Sequence, residues 1–539
     1  MRNGLSSALL ILAVAVFVAL FSNAAFFAGA ASVYGVSLKS APFIASLFCF
    51  IASLFVLILS AVCHRSLVKP LLIVFLLLAS VIAYFTNTFG TVFDYRMIGN
   101  VLETNTGEAR DLFNVSLLLY VLLLGVLPSI VVYYAPLRRP GWKAETMSRL
   151  KLSGGAVAMI GAIYAGFGGN YAALVREHSA VLAKVNPSYA LFSAAKLAVR
   201  SVPAAAPRPR VVVGPDAKVP PSDHSRELVI MVVGETARAD HWSLNGYNRI
   251  TNPMLAREEV INFPNFWACG TSTSVSVPCM FSRLGRAGLK GDAGKREDNA
   301  LDVLTRAGVS ILWRDNNSDS KGVALRVPYE NFRSPDTNPV CDVECRDEGM
   351  LHGLQQFIDA QKGDILIVLH QMGNHGPAYY KRYPKEFERF TPVCQTNDLG
   401  SCTSEEIHNA YDNAILYTDY FLSKVIELLK QNDDRFETAM FYASDHGESL
   451  GEYGVYLHGM PYGIAPTAQK HVPAVAWIGK HMKHDIKLGG IEERRQRPWS
   501  HDNVFSTLLG LFEIETDAYD PNKDLFEHTT SVTAERKAE

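Results

Sequence analysis

The sequence predicts two fold classes in tandem: an α-helical membrane domain of five spans, then a soluble α/β domain with a largely parallel central sheet. Three observations carry this. Long apolar runs are confined to residues 1–172. The rest of the chain has globular composition. Its short β-branched apolar runs alternate with helical stretches, the pattern of a parallel sheet covered by helices.

A helix needs about 20 apolar residues to cross a bilayer. Runs of that length lie at 8–33, 41–63, 70–88, 116–136 and 154–172, which sets a membrane domain over 1–172. The first has the form of a signal peptide, Arg2 followed by an apolar run ending in small residues. Four spans follow it, so it reads as a retained anchor. Lysine and arginine concentrate in two loops, Arg138, Arg139, Lys143, Arg149 and Lys151 over 137–151 and Arg65 and Lys69 over 64–69. The loop 34–40 has only Lys39, and 89–115 offsets Arg96 and Arg110 with Asp94, Glu103, Glu108 and Asp111. The basic loops face the cytoplasm, which puts the N-terminus inside and, after five spans, residues 173–539 outside. A formal net charge of −2 with no basic tract gives no support to nucleic-acid binding.

Six of the eight cysteines fall in the globular part, as Cys269/Cys279, Cys341/Cys345 and Cys394/Cys402. No CxxC…CxxC or Cys/His zinc-finger spacing occurs. Disulfides in an oxidising compartment are the reading, with partners assigned by proximity. Each such loop would contribute roughly 2–3 kcal/mol. Cys49, within the second span, and Cys63, at its end, are expected to be free thiols.

Residues 173–200 read as amphipathic helix at the membrane surface, and SVPAAAPRPRVVVGPDAKVPPSDHSRE as a Pro- and Ala-rich linker. Together they fill 173–227. From 228 to 539 the apolar runs are LVIMVV (228–233), VSILW (309–313), DILIVLH (364–370), AMFYAS (439–444) and PAVAWI (473–478). Helical stretches at 298–307, 347–361 and 404–431 lie between them.

Parallel sheets place ligands at the carboxyl ends of their strands. GETARAD follows the first run, HQMGNHGP the third and SDHGES the fourth. Glu235, His370, His375, Asp445, His446 and Glu448 therefore converge on one sheet edge. Carboxylates with imidazole suit zinc, with manganese as the alternative in the absence of thiolate. A metal held by Glu235, Asp445 and His446 leaves a position for a nucleophile or a substrate oxygen. A hydroxyl barely ionises at neutral pH and needs a base or a metal to react. The stretch CGTSTSVSVPC offers Thr271, Ser272, Thr273, Ser274 and Ser276, and spacing does not choose among them. Upstream, Asn100, Thr104 and Glu108 recur at i, i+4 and i+8, which on one helix is a single face on the outer side of the membrane.

Six motifs in order, GETARADHWSLNGY, CGTSTSVSVPCMFS, ILWRDNNSDSKG, LHQMGNHGPAYYKRY, YASDHGESLGE and GVYLHGMP, resemble the lipid A phosphoethanolamine transferases. That family includes the mobile colistin-resistance enzymes, and its soluble domain is of the alkaline-phosphatase/sulfatase type. The resemblance spans essentially the whole chain. It implies a zinc-dependent, multi-pass inner-membrane enzyme with a periplasmic catalytic domain, acting as a monomer. Its donor would be phosphatidylethanolamine and its acceptor lipid A. Thr273 matches the nucleophile, which also approaches the zinc, and Glu235, Asp445 and His446 match the remaining ligands. Asn317, Lys321, His375 and His458 match residues around the phosphoethanolamine group. Asn100, Thr104 and Glu108 have matching residues needed for activity. A core-sugar acceptor, a glycerophosphate transferase, a sulfatase-like hydrolase and a zinc-binding sensor are the rivals. The C/S-x-P-x-R signature of sulfatases is missing from the hydroxyl-rich loop.

Overall fold

Apolar run length decides the first part of the chain. A computed structural model describes residues 4–63, 66–104, 106–138, 140–201, 209–221, 223–289 and 293–529. Arg2, Arg65, Arg139 and linker residues 202–208 lie outside the described residues. The chain divides into two compact units. A helical unit comprises Met1–Glu103, Leu112–Val202 and Gly451–Tyr456, and an α/β unit comprises Thr104–Asp111, Pro203–Leu450 and Leu457–Glu539.

In the helical unit, Ala41–Val62, Val68–Phe89, Val115–Tyr134 and Trp142–Glu177 are long and apolar enough to cross a membrane. The expected first span is instead two helices, Ser7–Phe21 and Ala24–Tyr34, meeting at 57°. The break falls at Asn23, whose side chain donates to the carbonyls of Val18 (3.0 Å) and Asn186 (2.9 Å). A buried amide that satisfies backbone groups in this way competes with continuous helix. The last span begins earlier than the apolar run, so Lys143, Arg149 and Lys151 of the expected loop lie on helix. Arg149 pairs with Glu145 one turn back at 2.6 Å. Residues 173–200 are not one helix either. The long helix ends at Glu177, a short turn Ser179–Leu182 follows, and the next helix is Ser188–Ser201. Pro187 has no amide to donate and disfavours helix at Asn186, which separates them.

The α/β unit is built on seven strands: β1 (Glu227–Gly234), β2 (Val260–Asn262), β3 (Ser310–Asp315), β4 (Tyr329–Asn331), β5 (Ile365–His370), β6 (Glu437–Ser444) and β7 (Ala474–Ile478). Their order is β2-β7-β6-β1-β5-β3-β4. The five from β6 to β4 are parallel, while β7 is antiparallel to both β6 and β2. All five apolar runs of the sequence are strands here. Every residue of β1 and β5 is buried, as expected of strands covered on both faces. The three-residue edge strands β2 and β4 are too short for any periodicity to show. The helix Ser404–Asn432 starts at a capping box in which Thr403 and Glu406 satisfy each other's amides. All three cysteine pairs are disulfides, and Cys49 and Cys63 are free.

At the amino end of β1, away from the strand ends of interest, Glu227 is 1% exposed. Neither carboxyl oxygen meets a hydrogen-bond partner among the described residues. Burial, then the neighbouring Asp364 carboxyl, push its pKa well above the carboxylate range. The folded chain keeps this proton where the unfolded chain loses it. Stability therefore falls as pH rises from the ordinary carboxylate pKa toward the raised folded one, by about 1.4 kcal/mol per unit. Glu227→Gln is expected to raise the Tm of the full chain in detergent at pH 8 and to leave it nearly unchanged at pH 4. An unaltered pH dependence of Tm would assign the proton elsewhere.

Candidate functional site

Two adjacent parallel strands supply the centre of the site. Glu235 follows β1 directly, and Asp445 and His446 follow β6. The ladder continues one step beyond the strands, with the Asp445 amide on the Gly234 carbonyl at 2.9 Å. The Thr236 and His446 amides both donate to Asp445 Oδ1, at 3.2 and 2.7 Å. One ligand atom from each of Glu235, Asp445 and His446 lies within 4.8 Å of the others, all buried. His446 Nδ1 is 3.0 Å from the Gly447 carbonyl. That contact assigns its proton to Nδ1 and leaves Nε2 facing the carboxylates, 3.4 Å from Glu235 Oε1 and 3.3 Å from Asp445 Oδ2. Gly447 is required for the close approach behind this turn, since a Cβ there would lie 1.9 Å from the Ala468 carbonyl oxygen.

The electrostatics are those of a cation site. Burial, then Asp445, raise Glu235 well above its ordinary pKa, and burial raises Asp445 to about 6. Burial, then the charge of His458, hold His446 well below the imidazole range. Glu235 Oε1 and Asp445 Oδ2 have no hydrogen-bond partner among the described residues. Two buried carboxylates and a neutral imidazole, with an orphaned oxygen on each acid, fit a divalent metal.

Of the five loop hydroxyls, Thr273 is the one brought to this cluster. It opens the helix Thr273–Met280 and is 8% exposed. Its Oγ1 donates to Glu235 Oε2 at 3.1 Å and lies 3.4 Å from His446 Nε2. Thr271 donates instead to the Met460 carbonyl at 2.6 Å, and Ser276 accepts from the Gly270 amide at 3.1 Å. Ser272 and Ser274 face each other at 3.4 Å. The disulfide Cys269–Cys279 ties the start of the loop to the end of the helix.

Around this centre, Asn317 Nδ2 donates to Glu235 Oε2 and to the Gln371 carbonyl, both at 2.7 Å. Its amide thus sets the orientation of a ligand carboxylate. His370 Nδ1 is 2.9 Å from Asp315 Oδ2, and both are fully buried. His458 Nδ1 is 3.3 Å from Glu448 Oε2, with its ring 4.3 Å from that of His446 and 5.4 Å from that of His375. Burial lowers His458, but Glu448 outweighs it and leaves the imidazole above its ordinary pKa. Burial, then the His458 charge, hold His375 well below. Lys321 sits at φ +51°, its Nζ on the Ser318 carbonyl at 2.9 Å.

The expected face of Asn100, Thr104 and Glu108 does not form. Asn100 lies in the helix Tyr95–Glu103 of the helical unit, and Glu108 lies in a separate helix, Thr106–Asp111, of the α/β unit. Thr104 falls at the break. Thr104 is a weak helix former by its β-branched side chain, and Gly107 weakens the next turn by its backbone freedom. Half-buried Glu108 faces the charges of Lys321, His458, Arg382 and Arg333, after burial the causes that act on it. Asp315 went unread in the sequence, although it follows the run VSILW as Glu235 follows LVIMVV, and the same strand-end rule reaches it.

Comparison with known proteins defines the class first. Residues 227–514 match the sulfatase family, and residues 51–202 match the family described as phosphoethanolamine transferase EptA/EptB. This is a membrane-anchored enzyme of the alkaline-phosphatase/sulfatase type. The chain is 42% identical over 529 residues to phosphatidylethanolamine transferase Mcr-1 of Escherichia coli, covering 96% of each. It matches the integral membrane protein lipooligosaccharide phosphoethanolamine transferase A of Neisseria meningitidis with a TM-score of 0.91 and 33% identity, over 97% of this chain and 99% of that one. The C-terminal periplasmic domain of phosphoethanolamine transferase EptC from Campylobacter jejuni matches 59% of this chain and 97% of its own, at 43% identity and a TM-score of 0.53. The chain belongs to the membrane-bound phosphoethanolamine transferases.

Asn317→Ala frees Glu235 Oε2 from its amide donor, and loss of such a support typically costs 10–100-fold in metal affinity. The variant should lose metal to a competing chelator at a correspondingly lower concentration, read by elemental analysis of the full chain. Metal retention equal to wild type would show that this hydrogen bond does not support the cluster.

Proposed function

We propose that this chain transfers phosphoethanolamine from phosphatidylethanolamine to a phosphate of lipid A, through a covalent intermediate on Thr273. Residues 1–172 form its domain in the bacterial inner membrane, 173–227 connect, and 228–539 form the catalytic domain in the periplasm. The observation that carries the reading is the buried Thr273 hydroxyl, 3.1 Å from Glu235 within the candidate metal cluster. Glu235, Asp445, His446 and Thr273 would hold Zn2+. When bound, zinc supplies the positive charge that favours an ionised threonine oxygen and offsets the charge of the phosphoryl group.

The chain's own residues divide the rest. Thr273 Oγ1 passes its proton to Glu235 Oε2, to which it already donates, and attacks phosphorus, its bond forming as the bond to the diacylglycerol oxygen breaks. The departing alkoxide takes a proton, and His458, held protonated by Glu448, is suited to give it. A lipid A phosphate oxygen then attacks the threonine ester, and Oγ1 leaves and recovers a proton. His375, held neutral, is suited to remove one from the acceptor. Lys321 adds positive charge near the transferred group and Asn317 an amide beside it. Asn100, Thr104 and Glu108 contact the lipid headgroup. The product carries a cationic amine, so lipid A loses net negative charge and binds polymyxins such as colistin less well.

Thr273→Ala should abolish both transfer to lipid A and the mass shift of one phosphoethanolamine on the protein after incubation with donor. Chelation should abolish both in the wild type, and added zinc should restore them. Transfer at the wild-type rate by purified Thr273→Ala would remove the nucleophile assignment.

A further inference from the structure

The motif GPAYYKRY was singled out by sequence, yet no step above uses its Lys381 and Arg382. Arg382 is 5% exposed, and its Nε donates to the His375 carbonyl at 2.6 Å. Its Nη2 donates to Asp111 Oδ2 at 2.7 Å, and Lys381 Nζ donates to Asp111 Oδ1 at 2.6 Å. Asn397 Nδ2 adds a bond to the Asp111 backbone carbonyl at 2.8 Å. The other side of Arg382 is paired with Glu344, which lies inside the loop closed by Cys341–Cys345. Just past that loop, Arg346 Nη1 donates to the Lys381 carbonyl at 2.6 Å. The Lys381–Arg382 corner is thus fixed from behind by a disulfide-closed loop and presents both cations to one carboxylate.

That carboxylate ends the helix Thr106–Asp111, part of the α/β unit although its sequence lies between two apolar spans. Glu108 is three residues earlier on the same short helix, and the charges of Lys321, His458, Arg382 and Arg333 act on it. We propose that Asp111, clamped by Lys381 and Arg382, is a positioning residue that holds the helix Thr106–Asp111 and so keeps Glu108 in place for the phosphoethanolamine headgroup. The same guanidinium orients the loop of His375 through its carbonyl, so one side chain registers two substrate-facing elements. The headgroup clause rests on the transfer reading; the clamp itself does not.

The test uses the full chain in detergent with three readouts: amide exchange of residues 104–111 without donor, KM and kcat for transfer with phosphatidylethanolamine as donor, and bound metal. Asp111→Asn should speed exchange across 104–111 and raise KM for the donor by about tenfold, equivalent to about 1.4 kcal/mol. It should change kcat less than KM, and leave metal content unchanged. Asp111→Glu should recover both exchange and KM. Wild-type exchange in Asp111→Asn overturns the clamp, and faster exchange with an unchanged KM overturns its part in substrate positioning. If Asp111→Asn does not accumulate, Lys381→Met removes the more exposed half of the clamp and should move both readouts in the same direction. Because exchange is read without donor, failure of the transfer reading shows separately, as absence of the phosphoethanolamine adduct in wild type.

Discussion

Two carboxylates and an imidazole held at one buried point are the constraint around which the α/β unit is arranged. Water would solvate Glu235 and Asp445 separately; the fold removes it from both, and among the described residues one oxygen of each meets no donor. Such a cluster is costly unless a cation enters it, and isolated charges in a low-dielectric interior otherwise neutralise themselves by taking up protons. The raised pKa of both acids is that response. The hydroxyl of Thr273 is placed where the same positive charge would act on it, 3.1 Å from Glu235 Oε2 and 3.4 Å from His446 Nε2.

The geometry follows from strand order. β1 lies between β6 and β5, so residues just past each strand end are about one strand spacing apart, and Glu235, Asp445 and His370 become neighbours with no loop having to reach far. The second layer is built from the same edge. Asp315 ends β3 and accepts from His370, Asn317 and Asp319, which fixes the turn that aims Asn317 at Glu235. Gly447 lets the strand-end turn pass the Ala468 carbonyl. Precision here comes from short extensions of a rigid sheet.

This explains which parts were legible in the sequence. Long apolar runs report spans, and buried parallel strands report themselves as apolar β-branched runs, so LVIMVV and AMFYAS were read within two residues of their observed ends. Strand ends then pointed to Glu235, Asp445 and His446 without reference to any relative. What failed were features decided by single polar side chains or by distant partners. Asn23 breaks an otherwise apolar span through contacts with Val18 and Asn186, and the latter is 163 residues away. One helix ends at Glu103 and another begins at Thr106, where periodicity alone would continue a single helix. Thr273 could not be told from Ser272 or Ser274 by spacing, because the choice depends on how the cysteine-closed loop enters its helix. The ion pairs of Asp111 span 270 and 271 residues, beyond any local pattern.

The two histidines beside the cluster complete the electrostatic logic. His375 and His458 are 5.4 Å apart ring to ring and both half-buried, and loss of water alone would lower both. Glu448 breaks the symmetry: its Oε2 lies 3.3 Å from His458 Nδ1 and its negative charge raises that imidazole, while the charge of His458 lowers His375 and His446. A single buried carboxylate thus sets the three imidazoles apart, with His458 raised and His375 and His446 lowered. A transfer in which one oxygen must gain a proton as it leaves and another must lose one as it attacks needs such unequal neighbours. That ordering depends on Glu448 staying ionised beside His458.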